Sequence, residues 1–145
     1  MSNRKLIILT SLFFVGMFAL FSINMTSILT GQSPKQTYLK YNNVSGMAVV
    51  HNKLNYTLSF KQQNRVIDIL NEALIVGELA GNRKPPNFEK LVIYQLDHEP
   101  SIELVPIGYL EDNSMVFSAP TWAPNGYLMD ISQGDLQKLI SQTYD

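Results

Sequence analysis

The chain has 145 residues, of which 46% are apolar, and its 11 basic and 12 acidic side chains leave a formal net charge of −1. It contains no cysteine, which excludes a disulfide-stapled secreted module and any metal site or nucleophile that depends on a thiolate. From residue 31 onward, 9 basic residues stand against 12 acidic ones and no basic patch stands out, so we expect no nucleic-acid partner.

A predominantly apolar segment without any charge begins at Leu6 and ends at Ile23, directly after Arg4 and Lys5. About 20 apolar residues at a rise of 1.5 Å cross the roughly 30 Å hydrocarbon core of a bilayer. A helix satisfies its own backbone hydrogen bonds in lipid, so we predict a transmembrane signal anchor within residues 1–30. The positive-inside rule favours a cytoplasmic N terminus and an extracytoplasmic (periplasmic or extracellular) C-terminal domain.

A cleaved signal peptide is the alternative interpretation of this segment. The apolar core of a signal peptide usually spans about 7–15 residues and precedes small residues at the cleavage site. Here the core has 18 residues, and the sequence after it contains no alanine pair. Cleavage near Thr30 and Gly31 would release a secreted soluble inhibitor or effector. A third interpretation, a buried helix of a soluble fold, is disfavoured by the length of the apolar run.

The polar residues 31–45 are predicted to form a linker to an α+β domain that spans residues 46–145. Residues 46–51 are typical of a strand. A second strand is indicated by apolar side chains at alternate positions from Leu54 to Phe60. The intervening Asn52 tolerates the left-handed backbone conformation of a tight turn, which predicts a β-hairpin.

A long amphipathic helix is predicted next. Ser59 and Gln62 match the capping-box pattern S-x-x-Q at its start. Apolar residues then recur at intervals of three and four from Val66 to Leu74, which predicts about four helical turns ending near Gly77.

The sequence of the C-terminal half predicts mostly β-strands. Four strands are predicted at residues 90–97, 101–110, 115–118 and 127–131. Pro106 has no N–H to donate, so it should lie at a sheet edge or a bulge. Ser132 and Asp135 match a second capping box that opens a final helix. The predicted order is β-β-α-β-β-β-β-α, an antiparallel sheet with the one long helix packed on it.

One loop stands out as a binding candidate. Residues 120–127 place the only tryptophan between two prolines, and rigid aromatic side chains on a stiff loop lose little entropy on contact. Trp122, Pro124 and Tyr127 are therefore the predicted binding residues. The competing interpretation turns Trp122 inward as a plug at one end of the sheet. An exposed sheet edge that accepts a strand is another candidate contact surface.

No pattern in the sequence indicates a catalytic, metal or cofactor site. Neither His51 nor His98 lies in the context of a hydrolytic triad, and the glycines form no phosphate loop. We therefore expect no catalytic residues, metal or cofactor, and favour a single-pass membrane protein whose domain binds another protein or an envelope component. The enzyme alternative would need a dispersed site such as Asp97, His98 and Glu103.

Overall fold

The computed structural model describes residues 37–79 and 81–145. The predicted transmembrane helix and residues 31–36 of the predicted linker lie outside the described residues. Within the described ranges, no helix has the length and apolar content needed to cross a membrane.

The described chain is an α+β domain with an antiparallel sheet of seven strands and two α-helices. The strands are β1 (Val44–His51), β2 (Leu54–Thr57), β3 (Leu74–Val76), β4 (Lys90–Gln95), β5 (Ile102–Tyr109), β6 (Met115–Ser118) and β7 (Tyr127–Met129). The helices are α1 (Phe60–Glu72) and α2 (Asp135–Ser141), and a short 3-10 helix covers Tyr41–Asn43.

The strands are ordered β2-β1-β4-β5-β6-β7-β3, so β2 and β3 form the two edges of the sheet. Strands β4 to β7 make the expected meander, whereas β1 and β3 flank it. The first half of β5 pairs with β4 and its second half pairs with β6. The register shifts between Pro106 and Gly108, which confirms the prediction that Pro106 lies at an edge or a bulge.

Two local predictions are confirmed in the first half of the domain. Asn52 and Lys53 both have positive φ (51° and 65°), as the two-residue turn of a β-hairpin requires. At the start of α1, the Gln62 side-chain oxygen accepts the Ser59 backbone N–H at 2.8 Å, and the Ser59 hydroxyl accepts the Gln62 N–H. This reciprocal capping box satisfies two backbone donors that the helix itself leaves unpaired.

The predicted C-terminal end of this helix is wrong. Helix α1 ends at Glu72 rather than near Gly77, because Ala73 is extended (ψ 151°) and the next three residues form β3. Ile75 and Val76 are β-branched and favour a strand, and pairing with β7 overrides the helical spacing of the apolar residues. The sheet therefore has one strand more than the sequence predicts.

The second predicted capping box is also wrong. Gly134 is the N-cap residue of α2, with φ 98°, and glycine has no side chain that could form a cap hydrogen bond. The Ser132 hydroxyl instead accepts the N–H of Leu136 at 3.1 Å. The Ser132 N–H donates to Asp130 at 2.8 Å and not to the Asp135 side chain, which pairs with Arg65 of α1 at 3.1 Å.

The core lies between the sheet and the apolar face of α1. That face buries four side chains, Val66, Ile67, Ile69 and Leu70. The folded unit begins at Thr37, so part of the stretch interpreted as a linker contacts the domain. Leu39 is 4% exposed, and the Asn71 amide of α1 bonds both to its N–H (2.9 Å) and to its carbonyl (2.8 Å).

Candidate functional site

The loop between β6 and β7 carries the predicted binding residues. Trp122 is half-buried, and its ring packs against Tyr38 with a centroid distance of 5.0 Å and a tilt of 33°. Pro124 is exposed, and Tyr127 is half-buried as the first residue of β7. The three residues thus share one loop and the strand after it, with only Pro124 freely accessible.

A second candidate surface is the outer edge of β3, a segment that the apolar spacing of the sequence predicts to be helical. Backbone polar groups of an antiparallel strand point alternately to its two neighbours. Directly after β7, the Asp130 N–H donates to the Met115 carbonyl of β6 at 2.8 Å. The preceding residue, Met129, therefore directs its backbone N–H and C=O to the other side, toward β3. Leu74, opposite Met129, therefore bonds to β7, and Ile75 points its N–H and C=O away from the sheet.

The side chains along this edge are apolar and accessible. Leu74 is 49% exposed and Ile75 is 45% exposed, whereas most large apolar side chains of the domain are buried. Within the described ranges, the N–H and C=O of Ile75 have no hydrogen-bond partner. An exposed edge with such groups and with apolar side chains is a template for pairing with another strand. We name the segment Leu74–Val76 the β3 edge.

We name residues 119–126, between β6 and β7, the Trp122 loop. The β3 edge and the Trp122 loop form one continuous region. Tyr127 pairs with Val76, and Gly126 lies so close to the Val76 carbonyl that a Cβ at this position would clash with it. Glycine is thus required where the loop meets the edge. The Trp122 loop therefore meets the edge at Val76.

The residues of the dispersed enzyme alternative lie on two elements of the domain. Asp97 and His98 occupy the exposed turn after β4, both with positive φ (57° and 62°). Glu103 lies on β5, where its carboxylate accepts from the Lys90 ammonium at 2.7 Å. Among the described residues, no group of three acidic, histidine or cysteine side chains is placed to hold a metal ion.

One carboxylate is fully buried. Asp130, 0% exposed, accepts hydrogen bonds from the Ser132 N–H (2.8 Å) and the Ser132 hydroxyl (2.9 Å). Burial raises the pKa of Asp130, and the two bonds from Ser132 offset only part of that rise. Both oxygens are thus committed to positioning the turn that leads into α2, which gives Asp130 a structural role.

A polar and aromatic cluster surrounds Asn87. Its carbonyl accepts from His51 Nδ1 at 2.7 Å, and its side-chain oxygen accepts from the Tyr109 hydroxyl. Burial raises the pKa of Tyr109 to about 12, so this phenol stays a donor at neutral pH. The cluster connects β1, β5 and the loop before β4.

The β3 edge could have been detected in the sequence only through its β-branched pair and the glycine that follows, since the helical spacing of apolar residues continues through it.

Comparison with protein-family models, curated proteins and solved structures finds no match for this chain.

Proposed function

We propose that this chain is a single-pass membrane protein whose extracytoplasmic domain binds another protein by accepting an extended strand at the β3 edge. The outward N–H and C=O of Ile75, beside exposed apolar side chains, are the observation that carries the proposal. The anchor rests on the sequence from Leu6 to Ile23 and on the cations before it.

The other edge of the sheet is less suited to this role. Strand β2 has polar Asn55 and Thr57 along it, and Leu54, 60% exposed, is its one strongly exposed apolar side chain. Its Tyr56 is half-buried beside the rings of His51 and Tyr144. The β3 edge therefore presents two adjacent exposed apolar side chains, Leu74 and Ile75, where β2 presents one, Leu54. In strand addition the main-chain hydrogen bonds supply affinity and the side chains beside them supply specificity.

The size of the edge sets the expected affinity. Two backbone hydrogen bonds at Ile75 contribute about 0.5–1.5 kcal/mol each. Burial of the exposed parts of Leu74 and Ile75 adds about 25 cal/mol per Å². These terms alone give weak binding, so we propose that the adjacent loop with Trp122 and Pro124 extends the contact.

The test replaces Ile75 with proline in the full-length tagged protein. Proline removes the outward N–H and leaves the bonds to β7 intact. The matched control is Asn55→Pro. The Leu58 N–H donates to the Met47 carbonyl of β1, so Leu58 directs its backbone groups toward β1. Because the direction alternates along the strand, the N–H and C=O of Asn55 point outward, at the β2 edge. Partner proteins captured from membranes are quantified by mass spectrometry, and circular dichroism checks the fold.

We expect Ile75→Pro to lose the partner that the wild type and Asn55→Pro retain. Ile75→Ala, which keeps the N–H, should lose only part of the capture. Equal capture by Ile75→Pro and wild type, with native circular dichroism, would refute strand addition at β3.

The anchor has its own test. The mature N terminus is determined by mass spectrometry on protein extracted from membranes. Retention of residues 6–23 supports the anchor, whereas a start near Gly31 supports the secreted alternative.

A further inference from the structure

An open groove of about 370 Å³ lies between α1 and α2. Its lining includes three basic side chains, Lys61, Arg65 and Lys138, and one carboxylate, Asp135. The sequence separates Lys138 from the other two by more than seventy positions, which explains why no basic patch is visible in it.

The charge of the groove is opposite to that of the domain. Residues 37–145 carry 8 basic and 12 acidic side chains, a net charge of −4. Arg65 pairs with Asp135 at 3.1 Å, but both side chains are more than half exposed, so the pair contributes little. Within the described part of the chain, no ion pair is found for Lys61 or Lys138. The groove therefore has an excess of two positive charges.

A strongly exposed aromatic side chain precedes Lys61 at the N-terminal end of α1. Phe60, the first residue of α1 and the neighbour of Lys61, is 77% exposed, more than any other large apolar side chain of the described residues. An exposed aromatic ring beside basic residues is typical of surfaces that rest on the interface of a lipid bilayer. We name Phe60, Lys61, Arg65 and Lys138 the basic face.

We propose that the basic face docks on the anionic phospholipid headgroups of the membrane that anchors the chain. This inference rests on the anchor in the proposed function. Arg65 offers a planar donor pair to a phosphate, and Lys61 and Lys138 add point charges. Phe60, exposed at the N-terminal end of α1, supplies an apolar contact with the interface, and an acidic protein partner is an outcome that the test separates.

The net charge of the whole domain makes the docking directional. A net charge of −4 is repelled by an anionic surface, so only the basic face approaches it closely. Helix α1 has 13 residues, and at 1.5 Å per residue it is about 20 Å long. The β3 edge follows its C-terminal end, whereas Phe60 lies at its N-terminal end. Docking through Phe60 thus leaves the β3 edge accessible to a partner strand.

The test uses the full chain reconstituted in lipid nanodiscs. Because the chain has no cysteine, Gln142→Cys at the groove provides a single labelling site, and Glu99→Cys on the turn after β4 provides a remote one. Quenching of the label by a lipid-borne quencher reports proximity to the bilayer. Discs of phosphatidylcholine are compared with discs in which phosphatidylglycerol replaces part of it.

We expect the Gln142 label to be quenched in anionic discs only, and the Glu99 label in neither. Since each basic residue near an anionic surface changes binding about five-fold, Lys61→Gln with Lys138→Gln should lower the docked-to-free ratio about 25-fold. The matched control, Lys40→Gln with Lys53→Gln, removes the same charge from exposed lysines outside the groove. Asp135→Asn should strengthen docking, and salt at about 1 M, where the Debye length is 3 Å, should abolish it.

Four outcomes would overturn the proposal. The first three are equal quenching in neutral and anionic discs, equal losses in the two lysine pairs, and a label response to inorganic phosphate in neutral discs. Capture of an acidic protein through the basic face without any quenching would also overturn it. Co-elution of the chain with the disc reports the anchor separately, so failure of docking is distinguishable from failure of the proposed function.

Discussion

The imidazole of His51 stacks on the ring of Tyr144, with centroids 4.1 Å apart and planes inclined by 11°. This contact ties the last residues of the chain to the end of β1. The ring of Tyr56 meets Tyr144 edge-on at 6.0 Å. His51 Nδ1 donates to the Asn87 carbonyl and Nε2 accepts from the Asn52 amide at 2.9 Å, a pattern that assigns the Nδ1–H tautomer.

We expect Tyr144→Ala to lower the free energy of unfolding by about 1–2 kcal/mol, because the stack and its apolar burial are lost. Tyr144→Phe is the matched control. The Tyr144 hydroxyl is buried and makes no hydrogen bond of normal geometry, so its removal should be neutral or slightly stabilising. Chemical denaturation in mild detergent, followed by Trp122 fluorescence, measures both. A larger loss for phenylalanine than for alanine would contradict the role of the stack.

The elements that the sequence predicts correctly are those in which local and tertiary preferences agree. The hairpin at Asn52 and the capping box at Ser59 depend on residues a few positions apart, and both are found. The end of α1 was missed because Ala73 and Leu74 continue the helical spacing, while pairing with β7 decides the conformation.

The candidate surfaces were predictable only in part. The Trp122 loop was visible through its prolines, but its partial cover by Tyr38 depends on a contact across more than eighty residues. The groove between the helices depends on Lys138 meeting Lys61 and Arg65, which no local pattern reveals. Surfaces that tertiary packing assembles leave little signal in one sequence.

The motif Asp-x-Ser occurs twice, and we expect opposite pH dependences from its two copies. Burial raises the pKa of Asp130 above 3.8, whereas bonds from Ser114 lower the pKa of exposed Asp112. The ionised Asp130 therefore costs stability at neutral pH, and that cost disappears as the pH falls through its raised pKa. The ionised Asp112 contributes stability above 3.8, which is lost as the pH falls through its lowered pKa.

Denaturation at a series of pH values tests this expectation with asparagine variants. The unfolding free energy of Asp130→Asn minus that of the wild type should decrease as the pH falls from neutral toward 3.8. For Asp112→Asn the same difference should become less negative as the pH falls below 3.8. Parallel pH profiles of the two variants would show that burial does not separate the two motifs.

Trp122 is the only tryptophan, so its fluorescence reports its own environment. We expect the emission of the folded protein to lie between the buried and the water-exposed limits, and Tyr38→Ala to shift it to longer wavelength by uncovering the ring.

In addition, Trp122→Ala should weaken capture of the partner while the circular dichroism spectrum stays native. If the native spectrum is lost instead, Trp122 acts as a plug of the sheet rather than as a contact residue.

Gly126 should be the most sensitive glycine for the β3 edge. A methyl group there meets the Val76 carbonyl, a backbone atom that can move only if β3 shifts away from β7. We expect Gly126→Ala to cost about 1–3 kcal/mol of unfolding free energy, as overpacking of a tight site does, and to reduce partner capture as well. Gly77→Ala is the matched control, since a Cβ there meets no atom within 4 Å. Amide hydrogen exchange of residues 74–76 should accelerate in Gly126→Ala alone; equal exchange in both variants would mean that β3 does not depend on this close approach.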